Sequence, residues 1–450
     1  METLVFFAIL ILLLPLFFER IHDDEAIYWS KAKSIFTIGI AEIFRMRRVP
    51  FAMLLVSPFL ALSDSIFVPR IISFLFALAS TMLIFEIVKS YSDEQSAFVS
   101  AILFIFSFQT IRFATRFYLD IYGVFFFLFS VYLIKQKKVG LAGLSFAFAM
   151  LSREIWFGLY PFMLIYLLRD KKPLKSFIAW SAAPVLAFLV IVQLTVGLSV
   201  YLGNSAFAQN LALQKDLSQI PTYLIQSWVE FLIVQIITVI GFAYQIREKK
   251  DDLLILILPQ FLILSSIQSF ILNGALTQYA MGLQASMALL GGPGITAIWK
   301  RHFRRYPLES SLILILILQF LLFSYMATAL SLRGAIGIHD FGYWYDEKVI
   351  SLLNEKAKNQ TIVGLHGAFI SNAKEWVWGE RNVDKILGME PDWYVIVEPQ
   401  LINFKTEPEN VKEVEVYRIG PYIILHSQPR GHLHELVEPN REFSQWAFRR

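Results

Sequence analysis

Long runs of apolar residues recur along most of this chain, and they constrain its fold more than any other feature. A helix that crosses a bilayer needs about 20 predominantly apolar residues. We predict about eleven spanning helices from these runs: Thr3–Phe18, Ile66–Val88, Gln95–Ile111, Leu119–Ile134, Val139–Leu151, Trp156–Leu168, Ser176–Val200, Tyr223–Ile246, Leu253–Leu272, Thr277–Trp299 and Leu308–Leu332. The two short runs on either side of Arg153 are alternatively a tilted hairpin that does not fully cross.

Composition supports the same class. Hydrophobic residues make up 56% of the chain and charged residues 17%, whereas soluble domains carry roughly 45–50% and about 25%. The formal net charge of +4 gives no support to nucleic-acid binding. The chain has no cysteine, which excludes disulfides, thiolate zinc sites and cysteine nucleophiles. The sequence therefore predicts a multi-pass α-helical protein of a cell membrane, with its first helix retained.

Basic residues predict the orientation, because cytoplasmic loops are enriched in Lys and Arg. With a cytoplasmic N-terminus, five predicted inner loops hold most of the basic residues of the predicted transmembrane domain: Lys89; Lys135, Lys137 and Lys138; Arg169, Lys171, Lys172 and Lys175; Arg247, Lys249 and Lys250; Lys300, Arg301, Arg304 and Arg305. The exception is the predicted outer loop 19–50, which also carries basic residues. An anionic ligand on the outer face would explain that exception.

The composition changes after Arg333. We predict two domains: a transmembrane domain over 1–333, with a first outer loop over 19–65, and a small extracytoplasmic α/β domain over 334–450. Four short runs have strand character, Thr361–Leu365, Trp393–Val397, Val414–Tyr417 and Tyr422–Leu425, and Asp346–Lys358 has helical spacing. The aromatic residues Trp376, Trp378, Trp393 and Tyr394 are available there for packing or for stacking on sugars.

Three consecutive carboxylates, Asp23, Asp24 and Glu25, follow the first apolar run. An amphipathic stretch from Ala26 to Met46, typical of a helix lying in the membrane interface, comes directly after them. One interpretation is a solvated acidic cap on that helix. The other is a general base held at the membrane surface.

Further ionisable residues flank the apolar runs. The spacing Arg112-x3-Arg116-x3-Asp120 predicts one helix face, which is either a structural Arg–Asp pair or a phosphate site. Arg153-Glu154 lies between two runs and is either a self-neutralising pair or part of a functional site. Arg48, with Arg45 and Arg47, is a candidate for lipid headgroups or for a specific ligand.

These motifs, in their order, resemble the GT-C membrane glycosyltransferases, in particular the branch with the protein O-mannosyltransferases and the aminoarabinose transferases (glycosyltransferase family 39). The matching pieces are Asp24-Glu25-x2-Tyr28, Arg48-Val49-Pro50-Phe51, Val68-Pro69-Arg70-Ile71, Arg116-x3-Asp120 and Leu151-Ser152-Arg153-Glu154. They cover roughly the first 170 residues. Relatives often carry Arg-Tyr and then Pro in a late span, where this chain has Gln278-Tyr279.

The resemblance implies an enzyme that uses a sugar on a polyprenyl or dolichyl phosphate, transfers it with inversion on the outer face, and uses a first-loop acid as base. It implies Asp24 as the base with Glu25 as its companion, and the extra carboxylate Asp23 leaves either aspartate open for that role. Asp120 is implied to shape the acceptor side or the site of a divalent metal ion, and no other cofactor is implied. Arg48, Arg116 and Arg153 are the implied phosphate ligands, and Tyr28, Glu154 and Tyr279 complete the implied substrate-binding set.

Such an enzyme would have a lipid-linked sugar donor, a lipid, glycan or protein acceptor, and membrane lipids as its partners. A lipid-linked sugar or small-molecule transporter is the main alternative, although transporters tend to place charged sites near the bilayer midplane. A subunit without activity, whose outer domain binds a partner, is a third interpretation.

Overall fold

The computed structural model describes residues 23–37, 39–44, 49–63, 65–169, 173–201, 233–248, 280–303, 308, 311, 343–357, 360–364, 375–377, 392–396, 402–404, 414–419, 422–427 and 437–439. The predicted spans Thr3–Phe18 and Leu253–Leu272, nearly all of Leu308–Leu332, and the candidates Arg48 and Tyr279 lie outside the described residues. The chain forms two compact units, one of residues 31–333 and one of residues 1–30 with 334–450. The predicted boundaries 1–333 and 334–450 stay a prediction.

The described helices, in chain order, are α1 Asp23–Thr37, α2 Ala41–Phe44, α3 Phe51–Leu60, α4 Phe67–Lys89, α5 Glu94–Ile105, α6 Phe108–Ala114, α7 Leu119–Lys135, α8 Val139–Ser152, a 3-10 helix Glu154–Leu159, α9 Tyr160–Arg169, α10 Leu174–Thr195, α11 Ile233–Glu248, α12 Ala280–His302 and α13 Tyr343–Lys356. The described strands are β1 Thr361–Gly364, β2 Glu375–Val377, β3 Trp393–Ile396, β4 Ile402–Phe404, β5 Val414–Ile419, β6 Tyr422–Ser427 and β7 Val437–Pro439.

The predicted spans agree with the helices where the apolar runs are long. Helices α4 and α7 begin and end within one residue of the predicted bounds. Among the described residues, α4 and α10 are the two helices long and apolar enough to cross a membrane. Helix α8 has 14 residues and so is about 21 Å long, short of a bilayer's hydrocarbon layer. The total of about eleven spans stays a prediction.

One predicted span is interrupted in the structure. The run Gln95–Ile111 is not one helix, because it is divided between α5 and α6 at Phe106 and Ser107. The side chain of Ser107 accepts a hydrogen bond from the N–H of Thr110 and so starts a new helix. Two prolines, by contrast, lie inside helices: Pro58 within α3, which continues to Leu60, and Pro293 within α12, which continues to His302.

Helices α7 and α8 are joined by two reciprocal hydrogen bonds. The Ser130 hydroxyl donates from α7 to the carbonyl of Ala142 over 2.8 Å, and the Ser145 hydroxyl donates from α8 to the carbonyl of Phe126 over 2.7 Å. Hydrogen bonds of this kind stabilise helix pairs in membranes, where apolar burial gives little drive for association. The pair therefore forms a firmly connected hairpin.

Helix α12 packs closely against α5 and α11 through glycine. A Cβ added at Gly292 would lie 2.0 Å from the Oγ of Ser100 on α5, and one added at Gly294 would lie 2.0 Å from the carbonyl oxygen of Gly241 on α11. Side chains at these two positions would force the helices apart. Small residues thus allow the close backbone approach that is common between membrane helices.

In the second unit five of the described strands form a mixed sheet of order β2-β1-β3-β6-β5, and β4 and β7 form a separate antiparallel pair. Strands β1, β2 and β3 run parallel to one another, whereas β6 is antiparallel to both β3 and β5. Each of the four predicted strand runs overlaps one of these strands, and β5 and β6 each extend two residues beyond the predicted end. Trp393 and Tyr394 are buried in β3, so of the two offered roles they have the packing role.

Candidate active site

The acidic run lies at the start of a helix. Helix α1 begins at Asp23, three residues earlier than the predicted amphipathic stretch, so Asp23, Asp24 and Glu25 all lie in its first turn. The partial positive charge of a helix N-terminus favours carboxylates at this place. For Asp23 and Asp24 only the backbone is described. Glu25 and Tyr28 are buried, and their spacing places them on one face of α1.

Arg116 and Asp120 do not share a helix face as predicted. Helix α6 ends at Ala114, and the chain is extended at Tyr118 before α7 begins at Leu119. Arg116 therefore lies in the connecting turn, and Asp120 lies in the first turn of α7. Both side chains are nonetheless buried. The predicted helix periodicity fails here because the backbone changes direction between the two residues.

Asp120 is paired with Arg153. The Nε of Arg153 donates to Oδ1 of Asp120 over 2.9 Å, and both side chains are almost fully buried. Arg153 is extended (φ −151°, ψ 128°) at the junction between α8 and the 3-10 helix. Glu154 begins that 3-10 helix and is half-buried. Two of the sequence candidates are thus brought together from positions 33 residues apart.

Trp156 fixes the segment that follows Arg153. Its indole is buried and stacks on Phe127 of α7 at 4.8 Å between ring centroids. A Cβ at Gly123 would lie 2.3 Å from the indole Nε1, so the glycine leaves the space that the indole occupies. Because Gly123 lies one turn after Asp120, this contact anchors the 3-10 helix beside the Arg153–Asp120 pair.

Arg70 is a buried residue to which the sequence analysis gave no role. It lies in the first turn of α4 and has no exposed surface. One turn further, the hydroxyls of Ser73 and Tyr122 are 3.1 Å apart, which joins α4 to α7. Arg70 comes before Ser73 in α4, and Asp120 comes before Tyr122 in α7. Arg70 and Asp120 therefore both lie on the N-terminal side of the contact that joins the two helices. A charged residue at the start of a long apolar run was the available signal.

Among the described residues of the helical unit, buried arginines outnumber buried carboxylates. The buried side chains that carry a formal charge there are Arg70, Arg116 and Arg153, together with Asp120. Guanidinium groups bind phosphate and carboxylate groups through charge-assisted hydrogen bonds, so these arginines are candidates for an anionic ligand. No cluster of three or more metal-ligating His, Asp or Glu side chains occurs among the described residues.

The segment that carries the buried arginines also matches a known protein family. Residues 47–195 match the family described as dolichyl-phosphate-mannose-protein mannosyltransferase. No curated protein matches the chain significantly. The segment 47–195 holds Arg70, Arg116, Asp120 and Arg153.

Two solved structures share the fold over nearly the whole chain. ArnT from Cupriavidus metallidurans bound to undecaprenyl phosphate has a TM-score of 0.65 at 10% identity, covering 94% of this chain and 97% of its own. The apo state of the same ArnT has a TM-score of 0.54 at 10% identity, covering 94% and 96%. The resemblance to GT-C-like membrane glycosyltransferases, predicted from the sequence, is confirmed.

Proposed function

We propose that this protein is an integral membrane glycosyltransferase that moves a sugar from a polyprenyl-phosphate donor to a hydroxyl acceptor. The observation that carries the proposal is the set of three buried arginines, Arg70, Arg116 and Arg153, the last of them paired with Asp120. All of these residues lie within the segment that matches the mannosyltransferase family. The ArnT structure with the same fold holds undecaprenyl phosphate, which supports a lipid phosphate carrier.

The arginines would stabilise the leaving group. When the bond between the anomeric carbon and the phosphate oxygen breaks, negative charge develops on the lipid phosphate. Guanidinium groups suit this task because they stay charged and bind phosphate through two parallel hydrogen bonds. Arg70, Arg116 and Arg153 supply three buried cations, and Arg153 also holds the carboxylate of Asp120. We assign the phosphate end of the donor to this region.

Asp24 is the proposed general base, with Asp23 as the alternative and Glu25 as companion. The base takes the proton of the acceptor hydroxyl while the hydroxyl oxygen attacks the anomeric carbon. The new glycosidic bond forms on the face opposite the departing phosphate, so the anomeric configuration inverts. The position of both aspartates in the first turn of α1 supports a charged carboxylate at neutral pH.

The reaction is proposed to take place on the outer membrane face, as the loop charges predict, with the C-terminal sheet domain holding or selecting the acceptor. Lipid, glycan and protein hydroxyls all fit this chemistry. The described residues around Asp120 do not fit a divalent ion, because its carboxylate is bound by the Arg153 guanidinium and no cluster of three metal-ligating side chains occurs in the described part of the chain.

The test is incubation of the purified protein with labelled polyprenyl-phosphate sugars and an analysis of released lipid phosphate. Release that depends on active protein supports the transferase. If the labelled lipid crosses a reconstituted vesicle membrane intact, with no release, the transporter alternative is correct and the proposal fails.

A further inference from the structure

The connection between α5 and α6 takes the helical donor away from the carbonyl of Leu103. In a continuous helix the N–H of Ser107 would bond to Leu103, but here it donates to the carbonyl of Phe104 over 3.1 Å. A carbonyl without a partner inside a membrane costs free energy, so irregular backbone at this depth needs donors from elsewhere. We call residues Leu103–Thr110 the α5–α6 corner.

Gln284 of α12 supplies the missing donor. Its Nε2 donates to the carbonyl of Leu103 over 3.1 Å and lies 3.4 Å from the Oγ1 of Thr238 on α11. The side chain is buried. Leu103 and Thr238 lie 181 and 46 positions away from Gln284 in the chain, so the Gln284 amide connects the three helices α5, α11 and α12.

The direction of the Gln284 amide follows from its partners. The Leu103 carbonyl can only accept, and the hydroxyl proton of Thr238 is already donated to the carbonyl of Val234 over 2.7 Å. Both partners therefore accept, and the NH2 group must face them. The amide oxygen then points away and has no hydrogen-bond partner among the described residues. A buried acceptor in this state is costly, and such exceptions call for an explanation.

The α5–α6 corner leads directly into the proposed phosphate site. Ser107 caps α6, which has only seven residues, and the turn after it carries Arg116. Asp120 follows in the first turn of α7. Helix α12 packs against both α5 and α6, so it can fix the angle between them. A change in that angle moves Arg116, and shifts of about 1 Å in a reacting geometry can cost roughly 100-fold in rate.

We propose that Gln284 is a positioning residue of the donor site: its amide holds the α5–α6 corner, and thereby holds Arg116 in place for the lipid phosphate. The expected effect on catalysis rests on the proposed function. The structural part, that Gln284 holds the α5–α6 corner, rests only on the hydrogen bonds of Gln284. Gln284 acts through the backbone of Leu103 and does not touch the substrate.

The experiment compares full-length Gln284→Met with two controls. Methionine keeps the length of the side chain and removes both donors. Thr238→Val removes the weaker partner and leaves the bond to Leu103. Ser286→Ala changes the same helix, where the Ser286 hydroxyl bonds to its own Gly282 carbonyl over 3.1 Å. Two quantities are measured: amide hydrogen exchange over residues 104–118, and kcat/KM for release of lipid phosphate.

We expect Gln284→Met to exchange about tenfold faster over 104–118, because a lost buried hydrogen bond lowers the local opening free energy. Exchange in α4 and α8 should stay at the wild-type rate. In folded protein, kcat/KM should fall by about tenfold or more, while Thr238→Val and Ser286→Ala stay within about twofold of wild type in both measurements.

Unchanged exchange over 104–118 in Gln284→Met would overturn the proposal, because it would show that the Gln284 amide does not hold the α5–α6 corner. Equally faster exchange in all helices would also overturn it, because the substitution would then have loosened the packing in general. Faster local exchange with unchanged kcat/KM would overturn the positioning role. If the wild-type protein itself releases no lipid phosphate, the proposed function fails, and the exchange pattern still decides whether Gln284 holds the corner.

Discussion

Arg153 and Asp120 form a buried ion pair in which Nε and Oδ1 are 2.9 Å apart, although Asp120 lies in α7 and Arg153 lies at the junction between α8 and the 3-10 helix. Removing one member of such a pair leaves an uncompensated charge in the interior, which typically costs about 3–5 kcal/mol. We expect Arg153→Gln to lower the thermal stability of the purified protein strongly. The double variant Arg153→Gln with Asp120→Asn should regain much of that loss, and equal losses in the single and double variants would refute the pairing.

Arg116 should behave differently. It lies in the turn before α7, so Arg116→Gln is expected to raise the KM for the lipid-linked donor, or to lower kcat, by about tenfold or more while the protein stays folded. Steady-state kinetics at several donor concentrations measure the effect. Loss of thermal stability with unchanged kinetics would show that Arg116 is structural.

Asp24→Asn is expected to abolish transfer without unfolding the protein, because an amide cannot accept the acceptor's proton. Loss of a general base typically costs about 10²–10⁴-fold in rate. Asp23→Asn is the matched control, since it changes the neighbouring carboxylate of the same helical turn. Near-normal turnover in Asp24→Asn together with an inactive Asp23→Asn would assign the base one residue earlier.

Topology can be read from cysteine labelling, since the chain has no cysteine of its own. Cysteines introduced at Phe36, whose side chain is 58% exposed, and at Asn410 should both react with a membrane-impermeant reagent in intact cells. The expectation follows from the basic residues of the predicted inner loops. Labelling at only one of the two positions would mean that the number of spans between them is wrong by an odd number.

The contact between Asp93 and Lys300 should make the free energy of unfolding depend on pH in the acid range. Burial by itself would raise the pKa of Asp93, but the hydrogen bonds from the Lys300 ammonium, 2.6 Å away, and from the N–H of Ser96 outweigh it, so the pKa is lowered. A lowered pKa in the folded state means that the contact stabilises the protein above the unfolded-state pKa of about 4 and is lost as the pH falls through the lower, folded-state value.

Thermal unfolding of Asp93→Asn and wild type should therefore differ at pH 7 and converge toward pH 3. Asparagine preserves the helix cap, so the comparison isolates the charge. Because both partners are about half exposed, we expect at most about 0.5 kcal/mol after screening by solvent. A difference that persists at pH 3 would point to packing and not to ionisation.

Apolar length and charge were sufficient to predict some elements. The run that became α4 is long and ends at Lys89, so its bounds were visible in the sequence. The interruption at Ser107 was not visible, because one hydroxyl within a continuous apolar run decides it. The pairing of Arg153 with Asp120 could not be predicted from the sequence either, because helical periodicity relates only residues a few positions apart and these two are 33 positions apart. Both residues were candidates because ionisable groups beside apolar runs are uncommon.

The strands β2, β4 and β7 illustrate a different limit. Each has three residues, too few for alternation to be recognised, and each exists because a neighbouring strand accepts its hydrogen bonds. The predicted strands were longer and contained β-branched or aromatic residues. Local sequence thus predicts the strands whose own residues favour β-structure. The short strands form only because a neighbouring strand pairs with them, which local sequence does not reveal.

The two serine hydrogen bonds between α7 and α8 bear on how the protein would move during the proposed transfer reaction. Asp120 begins α7 and Arg153 follows the end of α8, so a hairpin braced at Ser130 and Ser145 keeps both in one rigid body. A phosphate arriving at Arg153 would find the guanidinium already oriented and would have little ordering entropy to overcome. Opening and closing of the site should then come from elements outside this hairpin, and spin labels at its two ends should keep a constant distance throughout the catalytic cycle.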